Sequence, residues 1–257
     1  MCEQAVSVMQ RYELKYLLDP RKIRALLNRL QGRMQLDRYG RTSIASVYYD
    51  TPDDRLIRAS MEKPAYKEKI RLRSYGLADE NSPVYLELKR KVNGIVYKRR
   101  VQTTVPLAEA FFRGFDTLEE GQISREIACF RDHYRDLRPA CLIIYDREAY
   151  FETDGDLRLT LDYAPRYRAD HVNLTHSMDG IPLLGPGGAV LEIKVQQALP
   201  LWLSRILDEE RIYKSSFSKY GTAYSLQHAA GTVRTGKERK PCLIPSIHLP
   251  SPRASFS

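Results

Sequence analysis

Cysteine is scarce and scattered, and long apolar runs are missing. Cys2, Cys129, Cys141 and Cys242 show no C-x-x-C spacing, which argues against a zinc site or a dense disulfide framework and fits reduced thiols in a cytoplasm. No stretch approaches the roughly 20 apolar residues of a membrane span, and the N-terminus has no charged-then-apolar signal pattern. A soluble protein without a membrane span or lipid anchor is expected. His171 and His176 stand five apart, not at the i, i+4 spacing of a helical metal site, and no GK[ST] follows the Gly185 to Gly188 loop, so neither a zinc-protease motif nor a P-loop is present. Acid is in deficit too. Lys and Arg number 41 against 32 Asp and Glu, a net charge of +9, which points to anionic partners such as nucleic acid, phosphates or acidic lipid.

A chain of 257 residues can bury a sizeable core, and one domain over residues 1–228 is expected. Residues 229–257, basic and rich in Pro, Ser and Gly, read as a disordered tail. Strands are expected at 7–18, 44–50, 66–75, 84–92, 95–103, 140–151, 157–163 and 189–195. Turns at Asp53-Asp54, Asn93-Gly94 and Asp154-Gly155-Asp156 fit between them. Asp19-Pro20 supplies an N-cap and an N1 proline for a helix carrying Ile23, Leu26, Leu27 and Leu30 on one face. Further helices are expected at 55–61, around Phe111, around Phe130, around Leu203, and at the close of the domain. The fold class is α+β, with one mostly antiparallel barrel or strongly curved sheet and peripheral helices.

What is present in abundance is charge at a period of two. Lys67, Lys69, Arg71 and Arg73 interleave with Glu68, Ile70 and Leu72, and Glu87, Lys89 and Lys91 interleave with Leu86 and Leu88. Successive strand side chains point to opposite faces, so each stretch projects like charges from one side of a sheet. Glu13 with Lys15, Arg158 with Thr160 and Asp162, and Glu192 with Lys194 follow the same parity. For any single strand a solvated face is the plainer explanation. Five such strands with few carboxylates are harder to explain that way, because solvated faces mix signs to avoid self-repulsion. A barrel turned inside out reconciles them, with apolar side chains outward beneath the helices and a wet, basic lumen.

Eight segments, in order, carry a resemblance: RYELKYLL (11–18), YYDTPD (48–53), KEKIRLRSY (67–75), YLELKRK (85–91), YDREAY (145–150), LRLTLD (157–162), LEIK (191–194) and SFSKY (216–220). Together they resemble the VTC domain, the polyphosphate polymerase domain of the triphosphate tunnel metalloenzyme (CYTH-like) superfamily. The resemblance spans about residues 9 to 225. It implies an eight-stranded antiparallel β-barrel, a tunnel that holds a nucleoside triphosphate, ATP above all, and a growing polyphosphate or pyrophosphate primer. It also implies a phosphotransferase dependent on Mn²⁺ or Mg²⁺. Carried over by position, catalytic roles fall on Arg71, Arg73, Lys89 and Glu192. Phosphate binding falls on Lys15, Lys69, Arg147, Arg158, Lys194, Lys214, Ser218 and Lys219, and metal binding on Glu192 with Glu13 and Glu87. Arg11 stands where the superfamily's hydrolases carry a carboxylate of ExExK, a two-unit charge change that weakens a two-metal hydrolytic site.

Three other readings stay open: a polyphosphate-binding protein without catalysis, a tripolyphosphatase, and an RNA binder suggested by +9 and 17 tyrosines. The last is opposed by tyrosines such as Tyr48, Tyr49, Tyr85 and Tyr97, which fall in strand patterns and read as core or wall.

Overall fold

The computed structural model describes residues 12–62, 64–93, 95–153 and 155–232. Arg11, Gly94, Asp154, Cys2, Cys242 and the tail from 233 onward, on which parts of the sequence reading fall, lie outside the described residues. Among the described residues ten strands form one sheet: β1 (Tyr12–Leu18), β2 (Gln35–Leu36), β3 (Thr42–Asp50), β4 (Tyr66–Tyr75), β5 (Val84–Val92), β6 (Ile95–Thr103), β7 (Arg138–Phe151), β8 (Arg158–Arg168), β9 (Ile181–Pro182) and β10 (Ala189–Val195). Six helices accompany them: α1 (Pro20–Leu30), α2 (Arg55–Met61), α3 (Val105–Phe112), α4 (Gln122–Tyr134), α5 (Leu201–Glu209) and α6 (Lys219–Thr232). The last of these runs four residues past the boundary expected at 228.

The strand order is β1-β10-β8-β7-β3-β4-β5-β6, with β2 added to β7 and β9 to β8, and every pairing is antiparallel. Eight strands on the main path match the expected number, but the ring is open: among the described residues β6 does not pair with β1. The free edge of β1 instead takes the bridge Tyr16↔Lys214 and a bond from the Ser215 N–H to the Lys15 carbonyl at 2.7 Å. Side chains link the sheet's two ends, since Lys89 Nζ on β5 lies 3.1 Å from Glu13 Oε2 on β1.

Parity decides which way each side chain faces. The outer face of β3, β4 and β5 packs Val47, Ile70, Leu72, Leu86 and Leu88 against Phe111, Ile127 and Phe130 of α3 and α4. The outer face of β1, β8 and β10 packs Leu18, Leu159, Leu161, Leu191 and Ile193 against Leu26 and Leu30 of α1 and Leu203 and Ile206 of α5. Burying apolar area at about 25 cal/mol per Å² makes these two layers the main stabilising term. A third cluster, with Ile143 and Tyr145 on the face of Arg147 as their parity indicates, departs only from the expectation of a lumen wet throughout. Ile44, Ile143 and Tyr145 point inward, where Tyr220 and Ala223 of α6 and Ile57 of α2 pack on them. One end of the interior is therefore apolar and closed by helix, not wet throughout.

Local chemistry fixes the elements that carry this arrangement. Asp19 Oδ1 accepts the Arg21 and Lys22 amides at 2.9 Å and starts α1. Buried Asp50, at the end of β3, accepts the amides of Thr51 and Leu56 on Oδ1 and of Ile57 on Oδ2, so it satisfies the open donors of α2 from outside the helix. Strand β7 shifts register between Ile144 and Asp146, a bulge that bends the long strand around the interior.

Candidate functional site

The inward parity of β4 and β5 sets Lys67, Lys69, Arg71 and Arg73 opposite Lys91, Lys89, Glu87 and Tyr85. Strand β6 then brings Lys98 opposite Lys89 and Arg100 opposite Glu87. On the far wall Lys15 stands opposite Glu192, Glu192 opposite Thr160, and Arg147 opposite Asp162. Basic groups line both walls, and the inward carboxylates of these strands are Glu13, Glu87, Asp162 and Glu192.

Each carboxylate is already engaged. Glu87, 2% exposed, takes Arg71 at 2.7 Å on one oxygen and Lys98 at 2.8 Å on the other. Burial alone would raise its pKa, but Arg71, Arg73 and Lys98 outweigh that and hold the carboxyl well below the usual range. Asp162 is fully buried, paired with both nitrogens of the Arg147 fork at 2.5 and 2.8 Å and with Lys219 at 2.5 Å. Its carboxyl too is held low, with Lys219 and Arg147 overcoming desolvation. Glu192 lies 3.4 Å from Lys194 and is pulled to about 2 by Lys194, Lys15, Arg147 and Lys219 against the opposing effect of burial.

Two arginines are oriented by phenols. Arg71 Nη1 donates to Tyr48 Oη at 3.0 Å, and Arg73 donates to Ser46 Oγ at 3.3 Å and Tyr145 Oη at 3.2 Å. Lys69 sits among further lysines. Its ammonium is lowered to about 8, first by desolvation and then by Lys15, Lys67 and Lys89 around it, with only Tyr48 opposing. Thr160 Oγ1 is buried without a hydrogen-bond partner, an open polar atom beside Glu192 that an anion or water would satisfy.

Of the residues expected from sequence, Lys15, Lys69, Arg71, Arg73, Lys89, Arg147, Lys194 and Lys219 share this interior with Glu13, Glu87 and Glu192. Arg158, the exposed first residue of β8, pairs with Lys194 at the end of the wall. Lys214 does not join them. It is exposed and stands opposite Tyr16, whose ring lies in the outer core, and residues directly opposite share a face. Ser218 Oγ accepts the Gly221 amide at 3.2 Å and caps α6. The three glutamates expected to gather around a metal are held apart by separate cations, and among the described residues no group of three His, Cys, Asp or Glu is arranged for a metal ion. The sequence reading omitted Asp162, Tyr48, Tyr145, Lys98 and Arg100 as site residues. The last two were within reach, because pairing β6 to β5 through a tight turn fixes their parity.

An open, eight-strand antiparallel sheet wrapped around a cation-lined interior defines the class: the triphosphate tunnel, or CYTH-like, fold. A Bacillus halodurans structure described as a candidate adenylate cyclase shares it, with a TM-score of 0.52 at 15% identity over 82% of this chain and 96% of the other. A candidate adenylyl cyclase from Hippeastrum, described as having a dominant triphosphatase activity, is 19% identical over 84% of this chain and 96% of its own, with a TM-score of 0.48. The chain belongs to the VTC domain family, which it matches over residues 10–228. Its sequence is also 25% identical over 224 residues to the vacuolar transporter chaperone complex subunit 4 of Schizosaccharomyces pombe. That match covers 69% of this chain and 31% of the yeast protein, so the chain spans about a third of that relative's length.

Proposed function

We propose that this domain is a metal-dependent polyphosphate polymerase that transfers the γ-phosphate of a nucleoside triphosphate, ATP in the first instance, to a polyphosphate or pyrophosphate end. The observation that carries this reading is the inward row of cations, Lys67, Lys69, Arg71 and Arg73 on β4 facing Lys91 and Lys89 on β5, with Lys98 and Arg100 beside them on β6. A wall that repels its own charge is suited to a ligand bearing about one negative charge per phosphate, whose desolvation needs several cations at once. Membership in the VTC family supports the same reading.

The transfer requires little covalent chemistry from the protein. A terminal oxygen of the chain, already ionised, forms a bond to the γ-phosphorus. The bond from that phosphorus to the β,γ-bridging oxygen breaks, and the electron pair leaves with the nucleoside diphosphate. No general base is needed, so alignment and charge neutralisation supply the rate. Arg71, Arg73 and Lys89 surround the transferring group, with the two guanidinium forks aimed by Tyr48 and Tyr145. Lys15, Arg147 and Arg158 hold the flanking phosphates. Arg gives a planar fork and Lys a point charge, so a wall of both tolerates sliding of the chain.

The donor set fits a divalent ion only in part. Glu192, ionised and beside the unpartnered Thr160 hydroxyl, is the residue that would hold Mn²⁺ or Mg²⁺, with Glu13 on the adjacent strand β1 a candidate partner and phosphate oxygens supplying the remaining ligands. Glu87, surrounded by cations, does not fit. Such an ion would neutralise charge on the nucleotide phosphates.

The test is incubation of purified protein with ATP, Mn²⁺ and pyrophosphate, following ADP, free phosphate and chain length. A ladder of long chains with matching ADP is the expected result. Glu192→Gln should lose at least 100-fold in turnover while keeping tripolyphosphate binding within a few-fold. Phosphate release without a ladder would make this a tripolyphosphatase, and tight binding without turnover a polyphosphate-binding protein.

A further inference from the structure

Glu87 has an unusual set of neighbours for an inward carboxylate. Arg71 and Lys98 reach it at 2.7 and 2.8 Å, while Arg73 and Arg100 stand off at 3.8 and 3.6 Å. The four come from two strands: β4 gives Arg71 and Arg73, and β6 gives Lys98 and Arg100, on either side of Glu87 on β5. Arg71 hydrogen-bonds one carboxylate oxygen, Lys98 forms a close ion pair with the other, which has no aligned hydrogen bond, and the two remaining arginines are left short of hydrogen-bonding distance. Arg100 Nε is buried with no hydrogen-bond partner, while its guanidinium is kept in place by stacking 3.6 Å over the Tyr85 ring and by a bond from Nη2 to Tyr75 Oη at 3.2 Å. One buried negative charge thus serves four cations that it cannot fully satisfy.

We infer that Glu87 is a positioning residue, a resident counter-anion that holds Arg71, Arg73, Lys98 and Arg100 in the arrangement a phosphate chain will use and limits how tightly that chain is retained. The inference rests on the anion-binding reading of the interior. Physically it follows from competition. A phosphate entering the cluster gains Arg73 and Arg100, neither of which Glu87 holds at hydrogen-bonding distance, but meets a like charge within the same ring of cations, so affinity is capped and the chain can move on. Without that carboxylate the cluster would bind a polyanion too tightly to release it. A divalent ion, repelled by four cations, has no place beside Glu87. Lys98 and Arg100 become phosphate contacts by the same geometry.

The test is calorimetric titration of the full chain with inorganic tripolyphosphate, without metal and at low salt, where a unit charge at this range counts most. Glu87→Gln keeps the shape and an acceptor for Arg71 but removes the charge, and should bind about tenfold more tightly or better. Lys98→Met leaves Glu87 more strongly directed at the two arginines and should bind about tenfold more weakly, with Lys98→Arg restoring affinity. Opposite signs from two neighbours in one ion-pair network are not produced by loss of packing. Folded Glu87→Gln protein with unchanged or weaker affinity would overturn the inference. Should that variant fail to fold, unchanged or tighter binding by Lys98→Met would overturn it alone. A wild-type protein that does not bind tripolyphosphate would remove the proposed function and this inference together, whereas wild-type binding with no gain in Glu87→Gln removes this inference only.

Discussion

At the scale of single residues, the ligand-free interior carries groups pushed toward their neutral or paired forms. Lys69 is lowered to about 8 by desolvation and by Lys15, Lys67 and Lys89. Tyr48 is lowered to about 8 as well, because Arg71, Lys69 and Arg73 overcome the opposing effect of its burial. Both lose their protons at lower pH folded than unfolded. Between about 8 and their ordinary values of 10.5 and 10.0, the unfolded chain binds more protons, so this pair's contribution to stability rises with pH across that window and is flat below it. Lys69→Met should flatten the rise in denaturant unfolding measured from pH 7 to 10. A bound polyanion reverses the shift, so tripolyphosphate binding at pH 8 should take up protons, read as an enthalpy that depends on the buffer's ionisation heat. Proton release would contradict the assignment. The cations of this wall were legible in the sequence because period-two alternation directly encodes a shared face. Their partners were not. Asp162 carries no local mark that separates a buried bridge to Arg147 and Lys219 from an ordinary strand carboxylate, and Lys214 fell outside because its segment pairs with β1 in a parity that no motif reveals.

At the scale of elements, α6 is joined to the rest through apolar packing and two buried carboxylates, Asp162 and Asp50. Tyr220 Oη donates to Asp50 Oδ2 at 3.0 Å and its ring stacks on Tyr48 with centroids 4.6 Å apart. The same Asp50 accepts the Thr51 amide and two amides at the start of α2, those of Leu56 and Ile57. Tyr220→Phe removes one charge-assisted bond while keeping the stack, and should cost about 1.5–3 kcal/mol by chemical denaturation. A loss under 0.5 kcal/mol would show that Asp50 does not depend on α6. Strands and helices set by strong local signals are where the sequence placed them: α1 after Asp19-Pro20, α2 over 55–61, β4 over 66–75, β5 over 84–92 and β6 over 95–103. Elements set by tertiary contact were not readable. β2 and β9 are two-residue strands that exist through pairing with β7 and β8. β8 runs on to Arg168 despite Pro165, and α6 folds into the interior because Ile44, Ile143 and Tyr145 present an apolar inner surface to it.

At the scale of the whole molecule, two apolar layers on the outside of one curved sheet enclose an interior that is basic along most of its length. The sheet stays open between β1 and β6, and contact between its ends is made by the Lys89–Glu13 pair. Among the described residues no helix is long and apolar enough to cross a membrane. Folding such a chain without ligand confines like charges together, and a phosphate chain that binds only the folded form both relieves that repulsion and draws the equilibrium by mass action. At 100 times its dissociation constant a ligand adds about 2.7 kcal/mol, which for a domain of this size raises the melting temperature by roughly 5 to 10 °C. The most direct measurement is therefore the melting temperature of the protein with and without saturating tripolyphosphate, beside an equal charge concentration of RNA. The structure predicts a rise of several degrees for tripolyphosphate and a smaller, salt-sensitive one for RNA. A melting temperature that does not move with tripolyphosphate would contradict an interior built to hold a phosphate chain.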